Sequence, residues 1–145
     1  MGKWIWKYIL LLVMIVGTIT ANAQVTTESE LRTAISKGGT VILGADIELG
    51  STLEISNDVI LDLNGKMISR STQNKTAVTL SIKGGSVIIK GNGSLKATAS
   101  YKFGGWLGYD GISISYEGGN LVLFNVNLFA KDYLGTSYTL SLIHI

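Results

Sequence analysis

The chain has 145 residues, with twelve basic and ten acidic side chains, no cysteine and no proline. Lys3 and Lys7 carry the whole charge excess, since the remainder has ten basic against ten acidic residues, and a neutral chain without a basic stripe excludes a nucleic-acid partner. The lack of cysteine excludes a disulfide framework, so the fold has to rest on its own core and strand ladders.

Residues 1–23 read as a secretory signal peptide. Two lysines and no acid precede an apolar run at 8–16, and Ala21, Asn22 and Ala23 offer small residues around a cleavage site. The run falls well short of the roughly 20 residues needed to span a bilayer as a helix. The expected location is therefore secreted or cell-surface in a bacterium, with the membrane met only during export.

The segment "TESELRTAISKGG" has the Thr-x-x-Glu spacing of a capping box at Thr27 and Glu30. Leu31, Ala34 and Ile35 form one apolar stripe, and Gly38 stands where a helix ends in a left-handed residue. The spacing predicts one short helix over 28–37. Everything beyond Gly39 reads as short strands at 40–43, 47–49, 52–55, from 59, 77–82, from 86, from 111 and 121–130, punctuated by Gly, Asn and Asp.

Such strands fit a sandwich or barrel as well as a solenoid, and repetition favours the solenoid. "DVILDLNGKMI" at 58 and "SVIIKGNGSLK" at 86 align Val59 with Val87, Leu61 with Ile89, Asn64 with Asn92 and Gly65 with Gly93, all at an offset of 28. A looser copy, "NLVLFNVNLFA" at 120, brings Asn125 to the asparagine position only if the register slips by one. Asn64, Asn92 and Asn125 are then expected at coil corners as an amide ladder, with Gly65 and Gly93 supplying positive φ. The helix at 28–37 would cap the exposed first coil.

"SELRTAISKGGTVILGADIEL" followed by "LEISNDVILDLNGKMIS" resembles the beginning of a right-handed parallel β-helix of the pectate-lyase-like superfamily, over roughly residues 24–130. The resemblance implies an all-β fold, a right-handed parallel β-helix (solenoid) with a short N-terminal capping α-helix. It also implies where chemistry would lie: an Arg or Lys base beside calcium-binding acids in the lyases, clustered aspartates with a histidine in the hydrolases. Neither motif is here. Arg32 falls in the helix, Arg70 in a turn, and Asp46, Asp58, Asp62, Asp110 and Asp132 are scattered. No catalytic residue, metal ligand or cofactor is assigned; calcium would belong to the remainder of a longer protein.

The most function-like stretch is "ASYKFGGWLGYDG", an insertion between two coil-like segments. Tyr101, Phe103, Trp106 and Tyr109, with Asp110, are the candidate carbohydrate-binding residues, because flat aromatic rings stack on sugar faces; the alternative is that they fold back over the coil flank. The partner expected is a polysaccharide or cell-surface glycan.

The single histidine, His144, lies in "LSLIHI" at 140–145. The string CTG-TCT-CTT-ATA-CAC-ATC encodes those six residues and is a transposase recognition end used in sequencing libraries, so 140–145 is expected to be adapter-derived; the alternative is a natural strand, "TLSLI", that continues the coil. The protein then occupies 24–139 as the N-terminal cap and first coils of a truncated β-helix, with an open C-terminal coil prone to self-association. The function expected is an exported cell-surface module, structural, adhesive or polysaccharide-contacting, with no complete active site. The alternative is the N-terminal part of a polysaccharide lyase or glycoside hydrolase whose catalytic coils lie further on.

Overall fold

The computed structural model describes residues 23–74, 76–100, 110–131 and 137–143. In chain order these form β1 (Gln24–Val25), α1 (Glu28–Lys37), β2 (Gly39–Leu43), β3 (Ile47–Glu48), β4 (Leu53–Ile55), β5 (Val59–Asp62), β6 (Met67–Thr72), β7 (Thr76–Ile82), β8 (Ser86–Lys90), β9 (Ser94–Ala99), β10 (Asp110–Tyr116), β11 (Asn120–Lys131) and β12 (Ser137–Ile143). The protein is β-rich, built on parallel sheets, with α1 the single helix among the described residues.

The helix begins and ends where its sequence requires. Thr27 has extended backbone, its hydroxyl accepts from the Glu30 amide at 3.2 Å, and the Glu30 carboxylate accepts from the Thr26 and Thr27 amides at 2.8 and 3.2 Å. Reciprocal pairing of this kind satisfies amides that the first turn leaves without partners. At the other end the Gly38 amide donates to Ala34 and Ile35. Gly38 has φ 76° but ψ −176°, so it sends the chain directly into β2 instead of closing a left-handed cap. Leu31 and Ile35 are buried and close one end of the main core.

Successive strands visit three columns in rotation. β1, β2, β5, β8 and the first half of β11 pair in parallel; β3, β6, β9 and the second half of β11 form a second column; β4, β7 and β10 form the third. This connectivity is compatible with a β-solenoid. The register aligns Val41, Leu61, Ile89 and Leu123 in one inward row, Ile47, Ile68, Leu95 and Leu128 in another, and Leu53, Leu80 and Ile114 in a third. The rows meet in one apolar core, while Ala77, Ala97 and Ala99 form a small second cluster.

The corner between the first two columns repeats. Asn64, Asn92 and Asn125 have φ of 48°, 53° and 52°, a region asparagine tolerates better than most side chains. At Asn125 the offset to the preceding turn changes from 34 (Phe124 opposite Lys90) to 33 (Asn127 opposite Ser94). That one-residue slip lets β11 bend and serve both columns. The Asn64 amide donates to the Leu43 carbonyl of the turn before at 3.0 Å; among the described residues no asparagine amide bonds another. The equivalent place one turn back is Gly44, which has no side chain to extend a ladder.

Gly65 has φ 72°, whereas at the next corner the glycine with positive φ is Gly91, at 103°, just before Asn92. Gly93 answers a different need: a Cβ there would run into the Lys66 carbonyl oxygen and Leu63 Cβ. Three further points depart from the sequence expectation. β6 and β9 are strands with no counterpart in the predicted set, Arg70 lies within β6 and not in a turn, and β12 pairs with β11 antiparallel. Residues 140–143 therefore do not continue the winding.

Candidate binding face

Residues 101–109 precede β10 in the chain, and β10 belongs to the third column. Tyr101, Phe103, Trp106 and Tyr109 lie outside the described residues, as does the side chain of Asp110, whose backbone opens β10 opposite Thr76. What the structure does place on this column is a row of polar side chains drawn from three turns. Glu54, Ser81 and Ser115 are in register across β4, β7 and β10, with Lys83 and Glu117 just past the ends of β7 and β10.

Lys83 Nζ is in contact with the Glu117 carboxylate and stands 4.0 Å from that of Glu54. Ser81 Oγ donates to the same Glu117 oxygen at 3.2 Å. The hydrogen bond from Lys83 holds the Glu117 carboxyl below its ordinary value, and the reciprocal contact raises the Lys83 ammonium. A lysine base has to give up its proton near neutrality, and this pairing opposes that. The row holds an ion pair on an open surface.

A cleft of about 380 Å³ runs beneath α1 along the edge of β4, its polar wall made by Arg32, Ser36, Thr52, Glu54, Ser56 and Asn57. β4 is the last strand of its column. The Ile55 carbonyl accepts from Lys83 on the β7 side, so by alternation the Thr52 carbonyl faces outward. Arg32 Nη1 donates to that carbonyl at 3.3 Å, Nη2 reaches the Ser51 carbonyl and hydroxyl at 2.7 and 2.9 Å, and Nε reaches Glu28 Oε1 at 2.9 Å. Glu28 also accepts from the Gly50 amide at 3.1 Å. The guanidinium thus takes the place of a preceding strand and pins the helix over the edge.

Behind this clamp, Arg70 Nη1 donates to Thr52 Oγ1 and to the Val78 carbonyl, both at 3.0 Å, while its buried Nε has no protein partner. The buried hydroxyls are occupied too: Thr79 bonds the Lys96 carbonyl, and Ser113 bonds the Leu95 and Phe129 carbonyls. Among the described residues no three of His, Asp and Glu converge as a metal site would need. The sequence did not single out Arg32 as a clamp or Glu54, Lys83 and Glu117 as a row. The available signal was Lys83 and Glu117 following β7 and β10 at like places.

The clamp carries a pH prediction. The Gly50 amide, then Arg32, depresses the Glu28 carboxyl, and the Thr26 amide and hydroxyl depress that of Glu30, both below the ordinary 4.5. A group with a depressed folded-state pKa stabilises the fold above its unfolded value and loses that contribution as pH falls through the folded value. Hydrogen-exchange protection of the Gly50 and Thr26 amides, taken relative to the intrinsic rate at each pH, is expected to be constant above pH 5 and to fall below 4.5, ahead of that of the Leu61 amide. An equal loss of protection at all three sites would contradict a local clamp.

No family model, curated protein or solved structure matches this chain.

Proposed function

We propose that the chain is an exported, cell-surface right-handed parallel β-helix module of the pectate-lyase-like kind, capped by α1 and acting by structural, adhesive or polysaccharide contact. Three considerations support this reading. Parallel strands linked through crossovers are right-handed in about 98% of cases, an asparagine marks the first corner of the three turns after the one that carries Gly44, and α1 covers the end of the core. The observation that carries the non-catalytic part is the pairing of Lys83 with Glu117: among the described residues of the third column, the lysine flanked by two carboxylates is held protonated. Both arginines are committed to backbone carbonyls.

The face near residues 101–109 then serves contact with a glycan through rings and exposed polar groups. The test is affinity electrophoresis of the exported chain in gels containing neutral glycans or polyuronates. Retardation in at least one gel is expected, with about a tenfold loss in the Trp106→Ala, Tyr109→Ala double variant if stacking supplies 1–2 kcal/mol. Unchanged retardation would end the aromatic-platform reading. Formation of unsaturated uronate by the same chain, followed by ultraviolet absorbance, would replace it with the lyase alternative.

A further inference from the structure

The outward rows of the three columns differ in kind. On the second column the row reads Glu48, Ser69, Lys96, Phe129, with one apolar member, and on the third Glu54, Ser81, Ser115, with none. On the first column one outward row reads Thr40, Ile60, Ile88, Val122, and its neighbour reads Gln24, Ile42, Asp62, Lys90, Phe124. Val122 and Phe124 are 42% and 51% exposed, and Ile42, Ile60 and Ile88 are half-buried. Alternation places polar residues on a solvated sheet face; here five of the eight outward positions on β2, β5, β8 and β11 are apolar and a sixth is threonine, and the two charges are opposite and adjacent, Lys90 Nζ lying 3.7 Å from Asp62 Oδ2.

We propose that this face binds the same face of a second copy of the chain. The order of residues selects that occupant. From β2 to β11 the second row is apolar, acid, base, apolar, which is self-complementary on inversion, with Gln24 of β1 lying beyond the paired strands. A two-fold axis parallel to the strands and lying between the two sheets keeps each position along the strand and reverses the order of turns. Asp62 then opposes Lys90 of the second copy, and Lys90 opposes its Asp62. Ile60 opposes Ile88, Ile42 opposes Phe124, and Thr40 opposes Val122. The four charges close into a square of alternating sign, and each apolar residue meets another or a threonine methyl. This is an isologous interface, with sheets packed about 10 Å apart and strands aligned. The inference depends on strand register alone and is independent of the glycan reading.

Eight side chains on four strands, a stack about 14 Å high, fall short of the roughly 800 Å² per partner of a standard interface. The association is therefore weak, with a dissociation constant on the order of 100 µM. Sedimentation equilibrium of the exported chain up to about 1 mM is expected to show a monomer–dimer equilibrium. Lys90→Glu, which surrounds the axis with four carboxylates, is expected to weaken it about tenfold or more, and Asp62→Lys likewise. The double variant Asp62→Lys, Lys90→Glu restores alternation and is expected to return within about threefold of wild type. Asp62 also accepts from the Asn64 amide, so the Lys90→Glu arm remains informative if Asp62→Lys disturbs the corner. A monomer at 1 mM would overturn the proposal. So would self-association indifferent to both single changes, the result expected if copies meet through the last turn, or a double variant as weak as the singles.

Discussion

Replacing Leu61 by alanine is expected to lower the unfolding free energy by about 2–5 kcal/mol, with the larger end favoured. Leu61 is fully buried in the central row, with Val41 beside it in the turn before and Ile89 in the turn after. Loss of its side chain removes buried apolar area and leaves a void that both neighbouring turns would have to collapse to fill. In a stacked fold, stability is close to a sum of turn and nearest-neighbour terms, so a residue shared between two interfaces weighs more than one at an end. Leu121→Ala, at a half-buried position in the last turn, is the comparison and is expected to cost about half as much or less. Urea denaturation with a common slope reads both. A Leu61→Ala cost under about 1 kcal/mol would mean that the row is not a packed core.

The second large effect is at Gly93. Substitution by alanine there is expected to cost about 3 kcal/mol or more, because the new methyl meets the Lys66 carbonyl oxygen and Leu63 Cβ at distances real atoms do not adopt. Backbone of the preceding turn would have to move, and with it the Ser94 amide bond to Lys66. Gly65→Ala is expected to cost only about 1–2 kcal/mol: its φ of 72° is unfavourable for alanine, but nothing lies within 4 Å of the new Cβ. Sequence reasoning ranks these two glycines as equals. Thermal and urea unfolding of the two variants separate them, and a larger loss at Gly65 would contradict the packing assigned to Gly93.

The parts of this fold that could be read from sequence are those whose signal is local or strictly repeated. The capping box at Thr27 and Glu30 and the stripe of Leu31 and Ile35 place α1 at residues 28–37. The 28-residue offset appears as direct register partners, Val59 with Val87 and Leu61 with Ile89. The slip at Asn125 follows from a third copy one residue out of phase. β6 and β9 escaped because their buried face is partly made of small residues: Ala97 and Ala99 are as buried as any leucine but carry little hydropathic signal. Arg70 reads as a turn residue for the same reason, since a cation rarely sits in a strand's inward row unless carbonyls receive it.

The candidate site was less legible. Glu54, Lys83 and Glu117 come from three turns and share no motif, so only the stacking joins them. The apolar row on the first column had the opposite problem. Ile60, Ile88 and Val122 look like core residues in a one-dimensional pattern, and only the register shows that they point away from the core.

Everything above depends on successive turns stacking in parallel, and the absence of native cysteine makes that directly measurable. Ser69 and Lys96 are register partners on the outer face of β6 and β9, within the Cα separation a disulfide accepts. In an antiparallel β5–β6 hairpin, the arrangement of a sandwich, Ser69 would instead oppose Ile60. Mild oxidation of the Ser69→Cys, Lys96→Cys pair is expected to give an intramolecular disulfide with native unfolding behaviour, while the Ser69→Cys, Ile60→Cys pair stays reduced. Cross-linking of the second pair and not the first would contradict the stacked architecture.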